Sequence, residues 1–248
     1  MRVSIITVCY NSESTIEETI KSVLGQTYDD IEYIVIDGSS MDTTCSIIKK
    51  YEVDINHFIS EPDKGLYDAM NKGVKLATGE LIGILNSDDV FHNDSVIEKI
   101  AEFHQKLDID ASISNVLYKN DRGRIVRKYS AKDWSPEKLK IAFMPPHAGL
   151  FLKRYLFESY GYYKLDYQIA ADFEIITRFF LKNKISWNYF HLTTTVMRTG
   201  GISSSGLNSY RIISKEIIKS LSNNEVAFNW MGIHLRFFRK ILSLAAND

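Results

Sequence analysis

Four short apolar runs, each closed by polar residues and three of them leading into a helical repeat, constrain this chain more than any other feature. Val3–Val8 is β-branched and ends in Tyr10-Asn11-Ser12; Ile16, Ile20, Val23 and Leu24 then fall on one helical face. Ser14 followed by Glu17 predicts a capping box at the start of that helix. Ile31–Ile36 closes on Asp37-Gly38-Ser39-Ser40, and Thr44, Ile47, Ile48 and Tyr51 continue at helical spacing. Ile55–Ile59 reads as a third strand, with Leu66, Met70, Gly73, Val74 and Ala77 as a third helix. Leu81–Leu85 is a fourth strand, stopping at Asn86-Ser87-Asp88-Asp89. Strand–helix alternation with short links predicts βαβ units, hence an α/β protein with a mostly parallel sheet covered by helices on both faces.

Past residue 110 the rhythm changes. Ala111–Tyr118 and Ile125–Tyr129 flank Asn120-Asp121-Arg122-Gly123, the pattern of a β-hairpin. Pro145-Pro146-His147 leads to a strand-like Leu150-Phe151-Leu152, and a helix begins near Asp172 with Ile176, Phe179 and Phe180 inward. Ile185–Phe190 and Thr194–Arg198 read as two more strands. The chain shows no internal repeat and no low-complexity linker.

Composition narrows the function. With 45% hydrophobic and 25% charged residues in 248, the chain has ordinary globular usage. Thirty basic against thirty-one acidic residues give no basic field to recruit nucleic acid. The two cysteines, Cys9 and Cys45, lack metal-ligand spacing and predict a reducing compartment without a disulfide scaffold or zinc site. The N-terminus runs straight into a strand pattern, and no secretory h-region or uninterrupted 18-residue apolar run appears, so the expectation is a soluble cytoplasmic chain. The turn after the first strand is Cys9-Tyr10-Asn11-Ser12, not G-x-G-x-x-G, and no G-K-[ST] occurs, which excludes Rossmann dehydrogenases and P-loop NTPases.

In open α/β sheets, ligands bind beyond the carboxyl ends of the strands. Here those ends carry Thr7, Tyr10 and Asn11; Asp37; Glu61 and Asp63; and Asn86, Asp88 and Asp89. Any one of these loops has a plainer reading as a polar turn or helix cap, but all four at one end predict a crevice. Carboxylates repel phosphate unless a hard cation sits between them, so the chemistry that fits is a nucleotide diphosphate held with Mg²⁺ or Mn²⁺.

The motifs themselves resemble family 2 glycosyltransferases. The resemblance runs through Ser4-Ile5-Ile6-Thr7-Val8-Cys9-Tyr10-Asn11, Ser22-Val23-Leu24-Gly25-Gln26-Thr27 and Ile36-Asp37-Gly38-Ser39-Ser40-Met41-Asp42-Thr43. It continues through Glu61-Pro62-Asp63-Lys64-Gly65-Leu66-Tyr67-Asp68-Ala69-Met70-Asn71-Lys72-Gly73 and Ala77-Thr78-Gly79-Glu80, and Asn86-Ser87-Asp88-Asp89 stands where the family keeps its D-x-D motif. It is dense over residues 1–95 and thins afterwards. Pro146-His147-Ala148-Gly149-Leu150-Phe151 and Ile169-Ala170-Ala171-Asp172-Phe173-Glu174 are similar to acceptor-side segments of the bacterial polysaccharide branch.

The resemblance implies a GT-A fold, with a smaller acceptor-side β element and a C-terminal helical tail, and a division into a nucleotide-sugar-binding half (1–110), an acceptor-binding half (111–205) and the tail (206–248). It implies an inverting transfer of a sugar from a nucleotide-diphosphate donor, UDP favoured, to a hydroxyl of a glycan or lipid-linked glycan in surface polysaccharide synthesis. Asp37 resembles the aspartate that reads the base, with Thr7, Tyr10 and Asn11 lining the same pocket and Asp63, Lys64, Asn86 and Ser87 contacting the donor. Asp88, with Asp89, stands as the holder of the divalent cation, and Asn86 replaces the first acid of D-x-D. Asp172 matches the family's general base, with Glu174 as its substitute. A carboxylate in that role must lie within about 2.6–3.2 Å of the acceptor hydroxyl, so it must come from the acceptor half.

Several alternatives stay open. His147 contacts acceptor or diphosphate, or is satisfied within a turn. Gly200-Gly201-Ile202-Ser203-Ser204-Ser205 orders over the donor or is a plain linker. From Val226 to Leu244 an aromatic-rich helical face stands opposite a basic arc, which fits peripheral contact with the inner face of the membrane, packing on the protein's own body, or a second subunit. A sugar-nucleotide pyrophosphorylase and a non-catalytic nucleotide-sugar-binding module are the competing functions. The first brings a Gly-rich, Arg-bearing loop that this chain lacks after its first strand.

Overall fold

The computed structural model describes residues 1–200, 206–229 and 233. A nine-stranded sheet runs through it. Strands β1 (Val3–Cys9), β2 (Ile31–Asp37), β3 (His57–Ser60) and β4 (Leu81–Ile84) form a parallel block in the order β3-β2-β1-β4. Every residue of β1 is buried, because a central parallel strand is covered on both faces and needs an unbroken apolar run. In register, Cys9 stands beside Asp37, and Asp37 beside Ser60. The carboxyl ends of three strands therefore finish at one level.

Helices α1 (Ile16–Leu24), α2 (Thr44–Ile48) and α4 (Val96–Leu107) cover one face, and α3 (Leu66–Leu76) the other. Gly73 is what lets α3 sit close: a Cβ there would lie 2.4 Å from Ile6 Cγ2. Beyond β4 the sheet continues with β8 (Leu150–Lys153), β6 (Ala111–Lys119), β9 (Trp187–Arg198) and the short β5 (Val90–Phe91). β8 pairs antiparallel to β4 and β6, while β9 is parallel to β6, so this half of the sheet is mixed. The hairpin partner β7 (Ile125–Tyr129) hangs antiparallel on β6, as its sequence predicts. Helices α5 (Tyr155–Tyr160), α6 (Ala171–Ile176) and α7 (Gly206–Asn223) pack with α3 around one apolar cluster.

Three local expectations change. The capping box does not form: α1 has Thr15 at its N-cap with no side-chain bond. Its first amides, Thr15 and Ile16, instead donate to the Ser12 carbonyl at 3.0 and 2.9 Å, while the Glu17 carboxylate accepts from Tyr51. The expected strand pair at 185–190 and 194–198 is a single strand, β9, whose irregularity is absorbed by register shifts around Asn115. The sequence reading assigns no element to 96–107 or 155–160, where α4 and α5 form.

The tail is not peripheral at its start. Ile217 and Leu221 of α7 are buried in the core with Ile233. The loop reading for Gly201–Ser205, and the tail reading for residues 230–232 and 234–248, lie outside the described residues. Among the described residues no helix is long and apolar enough to cross a membrane.

Candidate active site

The strand ends build the first part of the candidate site. Asn11, at φ 47°, turns the chain sharply after β1, and Ser39, at φ 67°, does so after β2. The Asn11 amide donates to Ser40 Oγ at 2.8 Å, and the Met41 amide returns a bond to Asn11 Oδ1 at 2.9 Å, which ties the two turns together. Asp37 is wholly buried beneath them. Its carboxylate accepts from Ser40 N at 2.9 Å, Ser40 Oγ at 2.5 Å, Ser60 Oγ at 2.7 Å and the Cys45 thiol at 3.2 Å. Burial pushes its pKa up, but the Ser40 and Ser60 bonds outweigh burial and hold it below the ordinary carboxylate value. Burial first, and then Asp37, push the Cys9 thiol up.

Thr7 is also buried, accepting from the Tyr33 hydroxyl at 3.2 Å, so it supports the floor rather than facing the cleft. The surface of this pocket is Tyr10, 57% exposed, with Gly38 and Asp63. Gly38 is closely approached: a Cβ there would meet Asp63 Oδ2 at 2.5 Å and the Tyr10 ring at 3.5 Å. Asp63 also accepts from the Gly65 amide at 2.7 Å, and Lys64 is exposed beside it.

The next loop carries the cation candidates. Ser87 Oγ meets Ser12 Oγ at 2.8 Å, which couples this loop to the one after β1. Asp89 is buried and turned inward, accepting from Asn86 Nδ2 at 3.3 Å; burial first, and then Asp88, push its pKa well up. Asp88 is half-buried, its pKa raised by burial. Asn86 Oδ1 is a buried acceptor without a partner. Among the described residues no three His, Cys, Asp or Glu side chains converge to hold a metal. The loop therefore fits a cation completed by donor phosphates, with Asp88 and the free Asn86 oxygen as the protein's share.

A second group of polar side chains gathers around α6. Asp172 is the second residue of α6, whose N-cap is Ala170, so it is not the cap of that helix. Its Oδ1 accepts from the Phe173 amide at 2.7 Å. Burial is the main cause that raises its pKa to about 6, with the Phe173 amide and the Tyr67 hydroxyl opposing and Glu216 adding to the rise. Two tyrosines without a role in the sequence reading complete the group. Tyr67 and Tyr163 stack at 5.9 Å, and both hydroxyls feel the Asp172 charge. His147 Nε2 lies 2.9 Å from the Tyr163 hydroxyl, and burial lowers its pKa to about 4, so the ring is neutral near pH 7. A cleft of about 280 Å³ is lined by Lys64 to Tyr67 on one side and by Leu165, Tyr167 and Gln168 on the other.

Glu174 is elsewhere. It is fully buried, paired with Arg178 at 2.8 Å and Lys164 at 3.3 Å, and accepts from Asn224 Nδ2. Arg178 goes on to donate to the carbonyls of Tyr160, Gly161 and Tyr162. This carboxylate ties α6 to its surroundings and does not reach the cleft.

A sheet of this order, with polar turns gathered at its parallel strand ends, is the GT-A fold of glycosyltransferases. The solved structures agree on the fold. S. aureus TarS 1–349 in complex with UDP-GlcNAc superposes with a TM-score of 0.74 at 20% identity, covering 96% of this chain and 73% of that one. The mannosyltransferase PcManGT from Pyrobaculum calidifontis, in complex with GDP-Man and Mn²⁺, gives 0.66 at 18% identity, covering 90% and 63%. The chain matches glycosyl transferase family 2 over residues 4–170 and belongs to that family. It is 35% identical over 184 residues to an uncharacterised glycosyltransferase of Mycobacterium tuberculosis, across 71% of this chain and 68% of the relative. It is 26% identical over 254 residues to a PGL/p-HBAD biosynthesis glycosyltransferase of Mycobacterium bovis, across 98% and 93%. The protein is a glycosyltransferase, and the pyrophosphorylase reading falls away.

Proposed function

We propose that this glycosyltransferase inverts the anomeric centre of a nucleotide-diphosphate sugar as it passes the sugar to a hydroxyl of a glycan or lipid-linked glycan in surface polysaccharide synthesis. The observation that carries this reading is the placement of Asp172. It is a carboxylate on α6, raised to a pKa of about 6 and held beside Tyr67 and Tyr163, and Tyr67 lines the same cleft as Lys64. In one displacement it takes the acceptor's proton while the sugar leaves the diphosphate on the far side. The neutral His147 holds the Tyr163 hydroxyl and with it one wall of the acceptor site.

On the donor side, Tyr10, Gly38 and Asp63 receive the base and ribose. Asp37 fixes the turn that shapes them, a recognition role exercised through Ser40 as much as through direct contact. Asp88 and Asn86 would hold Mn²⁺ or Mg²⁺, which supplies Lewis-acid neutralisation of the leaving diphosphate. Of the structural neighbours, one holds UDP-GlcNAc and another GDP-Man with Mn²⁺. UDP is our favoured nucleotide. The test is a panel of UDP- and GDP-sugars with Mn²⁺, scored for diphosphate release against saccharide and lipid-linked acceptors. The reading requires turnover by wild type and the opposite anomeric configuration in the product; a product of retained configuration overturns it.

A further inference from the structure

The loop that delivers Asp172 is held by a carboxylate from another helix. Glu216, on α7, is 9% exposed. Its Oε1 accepts from Gln168 N at 2.6 Å, and its Oε2 accepts from Ile169 N at 3.0 Å and Ala170 N at 2.9 Å. Among the described ion pairs Glu216 has no cationic partner, so three consecutive amides carry the compensation of its charge. The same loop is gripped from the other side, where the Tyr67 hydroxyl donates to the Ile169 carbonyl. Ala170 is the N-cap of α6 and makes no side-chain cap bond, so nothing within α6's own segment fixes where the helix begins. α7 is a firm anchor, since Ile217 and Leu221 on it are buried.

We propose that Glu216 is a positioning residue for the reaction, fixing the backbone of residues 168–170 so that Asp172 and Tyr67 meet at the acceptor hydroxyl. This rests on the reading of Asp172 as the base. A carboxylate bound by three amides is more rigid than a side chain bonded once, and an error of about 1 Å in a reacting group costs up to roughly a hundredfold in rate. The charged and titratable groups that face Asp172 are Tyr67 from α3, Tyr163 from the segment after α5, and Glu216 from α7. The Glu216 carboxylate adds to the rise in the Asp172 pKa, so its charge also makes Asp172 the stronger base.

Two substitutions separate these effects. Glu216→Gln keeps the shape, removes the charge and turns one acceptor into a donor facing an amide. Glu216→Asp keeps the charge and shortens the reach. The carboxyl resonance of Asp172 is followed in ¹³C-aspartate-labelled protein, assigned by its loss in Asp172→Asn. Hydrolysis of UDP-GlcNAc or GDP-mannose, with water standing in for the acceptor, gives the rate, and UDP or GDP titration with Mn²⁺ gives donor affinity. The expected result is a tenfold to hundredfold loss of rate in both variants with nucleotide affinity within about twofold. The Asp172 titration should move below its wild-type midpoint in Glu216→Gln only. Should Glu216→Gln fail to fold, the rate loss at unchanged nucleotide affinity in Glu216→Asp is the deciding arm. Wild-type rates in the folded variants, an unmoved Asp172 titration in Glu216→Gln, or nucleotide affinity lost in proportion to rate overturns the proposal. Full activity of Asp172→Asn overturns instead the base reading on which it rests.

Discussion

Glu174 of α6 closes a buried ion pair at 2.8 Å with Arg178, two residues past the end of that helix, and that pair sets apart the two acidic residues of the segment. Two residues along a helix is about 200° of rotation, so the carboxylates cannot face the same way. Glu174 points into the structure and is neutralised there. Asp172 lies instead beside Tyr67, with its charge desolvated.

Removing the charge of Glu174 therefore damages the fold before the chemistry. Glu174→Gln leaves Arg178 in place with its main partner gone, and breaking one side of a buried pair typically costs about 3–5 kcal/mol. Chemical denaturation should show a loss of that order, with the surviving folded enzyme binding nucleotide normally. A stable Glu174→Gln protein with selectively lost turnover would mean that Glu174, not Asp172, serves the acceptor.

Asp88 and Asp89 should separate cleanly, although the sequence places both in one metal motif. Asp88→Ala is expected to weaken Mn²⁺-supported UDP or GDP binding by tenfold or more in titration calorimetry. Asp89→Asn preserves shape at a buried position where burial already disfavours the charge, and should stay within about threefold of wild type. Equal losses in the two variants would show that Asp89 turns outward to the cation.

The acid sensitivity of the fold should report Asp37. Its folded pKa lies below the unfolded carboxylate value of 3.8, so its contribution is complete above that value and disappears as pH falls through the folded pKa. Asp37→Asn should thus be less stable than wild type at pH 7, with the gap closing below about pH 4. In kinetics its donor KM should rise more than kcat falls. A stability gap independent of pH would remove the ionised carboxylate from the explanation.

The parallel block was legible because short unbroken β-branched runs and helices of period 3.6 leave distinct marks, and Asp37, Asp88 and Asp172 stand at strand or helix ends where such patterns stop. What stayed hidden depended on distant partners. Tyr67 sits inside a motif read correctly, but a tyrosine at helical spacing reads as core until Ile169 and Tyr163 are seen beside it. Glu216 lies 46 to 48 positions from the amides it holds, and no local spacing signals such a bond. The capping box failed for the converse reason, because the Ser12 carbonyl takes the α1 amides before Ser14 can act. The buried placement of Thr7 and Asp89 likewise follows from packing that one chain's pattern does not display.

The pH dependence of turnover should carry the mark of Asp172. A base must be ionised to accept a proton, so kcat should rise with pH through about 6, where that carboxyl titrates. His147, held neutral with a pKa of about 4, should contribute no limb between pH 5 and 8. His147→Asn that removes an acid limb near pH 6 would reassign the titration to the histidine.

The central claim is that Asp172 accepts the proton of the acceptor, and the most direct measurement sets kcat beside donor Kd for Asp172→Asn. General-base catalysis contributes about 10²–10⁴-fold. The account predicts a fall in kcat of that size with nucleotide Kd unchanged within about twofold. A fall below about threefold, or one matched by an equal loss of donor affinity, would contradict it.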